Sequence, residues 1–295
     1  MTEPAPLPKV IAGTVQRLAQ FESAEVPARH VDVWLPPGYP AAAPYAVLYM
    51  HDGQMLFDGS QSWNQQEWRV DEVAASLQAA GKVRPFIVVG VWNAGPYRRP
   101  EYFPQKAFAL LAPTDQQSLL QAHSQVAGKT VAVYSDRYLR FLVNELKPQI
   151  EHRFAVSGKA ADTFIMGSSM GGLISLYAVA EYPAVFGGAA CLSTHWPGTL
   201  PDFAGNPVPA VFFRYIEQYF PVAGRHRIYF DYGTETLDAS YAIHQQVVDR
   251  LLQQKGYSPL DWQTRAFPGA DHSEQAWAAR LAEPLQFLLP VRRAL

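Results

Sequence analysis

The sequence predicts an α/β fold: a mostly parallel central sheet with helices on both faces. Three observations carry this. Short β-prone runs alternate with helix-length segments from residue 46 onward, the order that parallel crossovers produce. The run at 46–50, Ala-Val-Leu-Tyr-Met, is continuously apolar, as a strand buried on both faces requires. A third run leads through Gly167-Ser168-Ser169-Met170-Gly171 directly into a helical segment, giving strand, tight turn and helix in succession.

The elements follow in order. Alternating runs at 10–21 and 28–35 read as an opening antiparallel pair, ended by Pro36-Pro37-Gly38. Strands are expected at 46–50, 86–91, 162–166, 188–193, 228–231 and 262–267. Helices are expected at 71–80, 134–152, 172–182 before Pro183, 211–220, 239–254 and 274–289. Residues 92–133 show only one short helical pattern, near 116–125, and are too long for a plain connection. They are expected to form a lid or pocket wall. No repeat, low-complexity tract or linker divides the 295 residues, so a single domain over 1–295 is the expectation.

Composition narrows the function classes. With 48% apolar and 13% aromatic residues the chain can bury a sizeable core, which excludes disorder. Twenty-four Lys plus Arg against 26 Asp plus Glu give a net charge of −2 without a basic run, so neither nucleic acid nor an anionic membrane is an expected partner. The single cysteine, Cys191, lies in an apolar run and reads as a buried small side chain; no disulfide, metal or other cofactor is implied. The start, Met-Thr-Glu-Pro-Ala-Pro-Leu-Pro, is acidic and Pro-rich rather than basic then apolar, and no 18-residue apolar stretch occurs. A soluble cytoplasmic protein acting on a small molecule is expected.

Gly167-Ser168-Ser169-Met170-Gly171 fits G-x-S-x-G, the turn that exposes a nucleophilic serine. Ser169 stands between the two glycines and is the expected nucleophile; Ser168 has the wrong spacing. A serine hydroxyl needs a general base, and the base needs a carboxylate to orient it. In chain order these should follow as serine, acid, histidine. Of His195, His226, His244 and His272, only His272 lies between a late strand and a terminal helix, and it is the expected base. His195 is expected to line the pocket, and His226 and His244 to be packing or surface residues. The acid should follow the strand ending at Asp231. Asp238 is favoured because it begins the next helix, where backbone donors would keep it ionised, and Glu235 is the alternative.

The oxyanion that forms on attack must meet preorganised N–H groups. Met170, after the nucleophile, supplies one. Gly53, in the loop Met50-His51-Asp52-Gly53-Gln54, is expected to supply the second, with Gln54 the alternative; His51 and Asp52 are read as holding that loop. Trp63, Trp68, Trp92, Tyr97 and Trp196 fall in loops, and Trp92, Tyr97, Trp196 and His195 are the expected substrate contacts. Arg98 and Arg99 could pair with an anionic substrate.

At these residues the chain resembles the esterase-D-like esterases, the α/β-hydrolase family that includes enterochelin, feruloyl and carbohydrate esterases. The resemblance runs from Val31-Asp32-Val33-Trp34-Leu35-Pro36-Pro37-Gly38-Tyr39 to the last helix. It is carried by His51-Asp52-Gly53-Gln54-Met55-Leu56-Phe57-Asp58, by Gly167-Ser168-Ser169-Met170-Gly171-Gly172 and by Gly269-Ala270-Asp271-His272-Ser273-Glu274. It implies an α/β-hydrolase fold with Ser169 as nucleophile and His272 as base. It leaves Glu235 and Asp238 both eligible, since the family usually places an aspartate a few residues after Gly-Thr. Siderophore esterases of the family carry an additional N-terminal domain for which this chain has no room. The expectation is a serine carboxylesterase for short-acyl or aryl esters of carbohydrate or phenolic compounds. An enterochelin-type esterase, an acyltransferase, and an inactive hydrolase fold used for binding are the alternatives.

Overall fold

The computed structural model describes residues 5–199 and 203–291; the first four residues of the acidic N-terminal segment lie outside them. Eight strands form one sheet: β1 Thr14–Phe21, β2 Arg29–Leu35, β3 Ala46–His51, β4 Phe86–Val91, β5 Thr163–Ser168, β6 Gly188–Leu192, β7 Arg227–Gly233 and β8 Trp262–Phe267. Their order is β1-β2-β4-β3-β5-β6-β7-β8. The first two strands pair antiparallel, as expected of the opening runs, and β2 also meets β4 antiparallel. From β4 to β8 every pairing is parallel. The fold is therefore the α/β-hydrolase fold expected.

Strand alternation divides the core into two layers. On one face Val47, Tyr49 and Ile165 pack with the α-helical layer of Leu139, Leu142 and Ile174. On the other, Leu48, Met50, Phe164 and Met166 pack against Leu77, Leu285 and Leu288. Burial on both faces is why β3 and β5 read as continuous apolar runs. Strand order reverses at β3, which has β4 on one side and β5 on the other, so the carboxyl ends of β3 and β5 open a crevice.

The helices are α1 Val70–Ala79, α2 Arg98–Tyr102, α3 Gln105–Phe108, α4 Pro113–Ala127, α5 Ser135–Arg140, α6 Lys147–Arg153, α7 Met170–Glu181, α8 Val208–Tyr219, α9 Tyr241–Gln254, α10 Glu274–Arg280 and α11 Ala282–Leu288. Three differences from expectation have physical causes. Residues 92–133 hold three helices rather than one, and two of them span only five and four residues. Helical periodicity needs more than one turn to be visible. The expected helix over 134–152 contains a π-helical stretch, Phe141–Leu146, followed by Pro148, whose missing N–H breaks the ordinary ladder. The C-terminal helix breaks at Leu281, where a tightened turn joins Leu281 N to Ala278 O and Pro284 cannot donate to the preceding turn. Among the described residues no helix is long and apolar enough to cross a membrane.

Candidate active site

The turn after β5 places Ser169 at φ 58°, ψ −123°, a backbone conformation that costs a non-glycine residue about 1–3 kcal/mol. Its backbone is held from both sides. The N–H donates to Leu192 O at 2.9 Å, and the carbonyl accepts from Gly172 N at 3.0 Å and His195 N at 3.2 Å. A Cβ on Gly167 would come within 2.9 Å of the Gly171 backbone, which accounts for that glycine. Gly171 is less confined. A Cβ there would be in ordinary contact with Asp52 Oδ2 and His51 Cβ at 3.5 Å, and the tighter position is Gly172, 2.8 Å from Thr194 Oγ1. The β3 loop therefore lies directly against the start of α7.

That loop is clamped. Asp52 adopts φ 58° and its carboxylate takes two hydrogen bonds from Arg98, at 2.6 Å (Nε) and 2.7 Å (Nη2), and one from Asn93 Nδ2 at 2.7 Å. Burial raises the Asp52 carboxyl, and the Arg98 charge more than reverses this, leaving it below the ordinary range. His51 Nδ1 shares a 2.8 Å hydrogen bond with Tyr138 OH, and burial pushes its ring down to about 3, so it stays neutral. A Cβ on Gly53 would lie 2.5 Å from the Gly90 backbone, so only glycine passes there. The result is a rigid loop whose backbone flanks the N-terminus of α7, where Met170 N starts the helix.

His272 and Asp238 meet. Asp238 Oδ1 lies 2.6 Å from His272 Nδ1. Asp238 is buried in a short turn, Thr236–Ser240, ahead of α9. Its donors are Gly233 N at 2.6 Å and Ser193 Oγ at 2.5 Å, not the amide groups of the following helix. Glu235 is exposed and contributes only its backbone, donating to Ala270 O. The His272 ring is gripped edge-on by Tyr241 at 5.8 Å and Trp277 at 5.0 Å, and the backbone N–H of His272 donates to Thr236 Oγ1 at 2.9 Å. A neutral imidazole that gives Nδ1–H to Asp238 carries its lone pair on Nε2. Ser169 Oγ forms no hydrogen bond among the described residues; contacts of this kind tighten when substrate docks.

Behind the pair lies a buried network that sequence reasoning missed. Ser193 Oγ, at φ 42°, accepts from Trp277 Nε1 and Arg280 Nη2, each at 2.9 Å, and donates to Asp238. Arg280 also pairs with Asp231 at 3.0 Å. Burial raises Asp231 to about 6, even though Arg280 opposes the shift. Two accepted bonds leave the Ser193 hydroxyl proton only Asp238 to serve. No motif flags these residues, because their partners are scattered along the chain.

Several expected substrate contacts have partners within the protein. Trp92 donates Nε1 to Asp32 Oδ2 at 2.8 Å, lies under Arg17 at 4.8 Å and meets His30 edge-on. The antiparallel β2–β4 pairing turns it toward the sheet edge. Trp196 is buried, bonded to Gln245 and packed on Phe212 and Phe230. Tyr97 carries Lys129 Nζ at 4.6 Å over its ring. His195 is buried behind Ser169, with Nδ1 2.7 Å from Tyr241 OH. Trp68 stacks on Trp277 inside the protein, whereas Trp63 is exposed. Arg98 is consumed by Asp52 and is not available to an anionic substrate. Cys191 is buried and unpaired, as expected. Among the described residues no group of three or more His, Cys, Asp or Glu is placed to hold a metal ion.

The chain is 23% identical over 274 residues to the uncharacterized protein YbbA of Bacillus subtilis, covering 90% of this chain and 94% of that one. Among solved structures it is similar to a ferulic acid esterase, at TM-score 0.65 and 17% identity over 94% of this chain and 98% of the other. It is also similar to the enterobactin esterase of Shigella flexneri, at TM-score 0.68 and 19% identity, where 95% of this chain spans only 60% of that protein. At these identities the structural likeness is one of fold. The family model described as "Putative esterase" matches residues 27–288, and the chain belongs to that esterase family.

Proposed function

We propose that the protein is a serine carboxylesterase with Ser169, His272 and Asp238 as its catalytic triad and Met170 N and Gly53 N as its oxyanion donors. The observation that carries this is the Asp238–His272 pair at 2.6 Å, formed on the turn after β7 and the loop after β8. With it goes a serine held in a left-handed turn after β5. Ser169 Oγ attacks the ester carbonyl while His272 Nε2 takes its proton, and the oxyanion is held by the two backbone N–H groups. Collapse breaks the C–O bond and passes that proton to the departing alcohol. Water then attacks the acyl-enzyme with His272 again as base, releasing the acid and restoring Ser169.

The chain would act as one domain, with 92–133 forming a wall of the pocket; Arg98 Nη2, 3.4 Å from Ser168 O, supports that placement. Substrates are short-acyl or aryl esters of carbohydrate or phenolic compounds, a reading supported by the ferulic acid esterase likeness. It no longer draws support from Trp92 or Trp196. The enterobactin esterase likeness favours a second reading, a siderophore lactone as substrate.

The test is hydrolysis of 4-nitrophenyl acetate by Ser169→Ala and Ser168→Ala variants. The first should lose on the order of 10⁶ in kcat and the second little. Equal activity in the two, or fluorophosphonate labelling at a residue other than Ser169, overturns the assignment.

A further inference from the structure

Two arginines open α2, and they have opposite fates. Arg98 is spent on Asp52. Arg99 is half-buried, and its side chain makes no hydrogen bond or ion pair among the described residues. Among the described residues the charged and titratable groups that act on it are Arg98 and Tyr241, and no described carboxylate is among them. Burial and the neighbouring Arg98 both lower its pKa, the signature of a cation without a counter-ion.

Its surroundings offer no relief. Burial holds His123 of α4 down to about 4 and His195 down to about 3, and the Arg99 charge adds to both, with His272 also acting on His195. Both ring nitrogens of His123 are sealed from solvent without partners among the described residues, and the His195 ring meets Tyr241 OH and a Thr199 backbone group. Among the described residues Arg99 therefore sits beside neutral imidazoles and an arginine already paired with Asp52, and its own charge is uncompensated. That place adjoins the reaction centre. His195 N binds Ser169 O, His195 Nδ1 binds Tyr241 OH, and Tyr241 lies edge-on to His272.

We infer that Arg99 is the anion subsite of the ester pocket, and that the substrate carries a carboxylate on its acyl or its alcohol portion, which Arg99 receives through a bidentate pair. A half-buried guanidinium without a counter-ion is costly, and a carboxylate matches its fork of donors. The uncompensated Arg99 charge disfavours a cationic substrate group at that place. This deepens the carboxylesterase reading and rests on it.

The experiment compares matched esters: mono-4-nitrophenyl adipate with 4-nitrophenyl hexanoate for an acyl-side charge, and 4-acetoxybenzoate with 4-methylphenyl acetate for an alcohol-side charge. In the wild type one pair should favour the anionic member in kcat/KM. Arg99→Gln should lower that anionic-to-neutral ratio by about 10- to 100-fold, the worth of a charge-assisted contact, and Arg99→Lys should restore part of it. Salt gives a second readout on the unmodified protein: raising NaCl should depress the anionic ester's kcat/KM and spare its neutral partner's. Ratios in both pairs that Arg99→Gln and salt leave unchanged would overturn the subsite while leaving the esterase standing. Hydrolysis of none of the four esters would overturn both.

Discussion

Replacing Ser193 by alanine tests whether the buried network, and not the triad alone, sets the rate. Ser193 is buried and touches Asp238, Trp277 and Arg280 through one oxygen. Its removal leaves the Trp277 N–H without an acceptor and strips one of the two side-chain acceptors from Arg280, which keeps Asp231 at 3.0 Å. Each orphaned buried donor costs about 1–3 kcal/mol, so a stability loss of about 2–4 kcal/mol is expected in urea unfolding. The catalytic effect is separate. Asp238 retains Gly233 N on Oδ2 and His272 on Oδ1 but loses the second of the two donors on Oδ2, so its carboxylate is held less firmly against Nδ1. Losing the acid altogether costs about 10⁴-fold, which sets the ceiling, and one hydrogen bond to a charged group is worth about 1.5–3 kcal/mol. A fall of about 10- to 100-fold in kcat is therefore expected on 4-nitrophenyl acetate, with KM nearly constant because Ser193 meets no substrate. A folded variant with undiminished kcat, or a loss confined to KM, would refute the positioning role.

Three further outcomes follow from the same structure. Asp238→Asn should cost about 10⁴-fold in kcat, whereas Glu235→Gln, exposed and held only through its backbone, should cost less than about twofold; steady-state rates on one ester decide it. Trp92→Ala should lower stability through Asp32, Arg17 and His30 rather than raise KM, which urea melts and Michaelis constants together would separate. His123, held neutral down to about 4 in the folded protein against 6.5 in an open chain, contributes stability that is complete above pH 6.5 and is lost as pH falls toward 4. His123→Leu should therefore remove about 2 kcal/mol of the stability lost between pH 7.5 and 5, and parallel wild-type and variant curves would show that this imidazole titrates normally.

How far the sequence could be read depended on whether a residue's role is local. Gly167 and Ser169 were legible because each answers a backbone demand made within a few residues, a tight turn and a left-handed serine, whereas Gly53, legible as a glycine in the loop after β3, answers a close approach to Gly90 on the neighbouring strand β4. The strands of the parallel half were legible because burial on both faces leaves a continuous apolar run. Side-chain destinations were not local. Trp92 and Trp196 both follow strands that end at the crevice, yet one turns toward Asp32, 60 residues away, and the other into a core closed by Gln245, 49 residues away. Arg98 finds Asp52 at a separation of 46, and its neighbour Arg99, identical in kind, finds no hydrogen-bond or ion-pair partner among the described residues. Asp238 was reached by an argument from the start of a helix, but the groups that hold it are Gly233 nearby and Ser193, 45 residues before it. Ser193 in turn depends on Trp277 and Arg280, 84 and 87 residues onward. A motif encodes what the chain must do to itself at one turn; the network that holds Asp238 is assembled from separate strand ends and one terminal helix. That is why a candidate nucleophile, a candidate base and the order of the parts could be named before the fold, while the residues that hold the candidate acid could not.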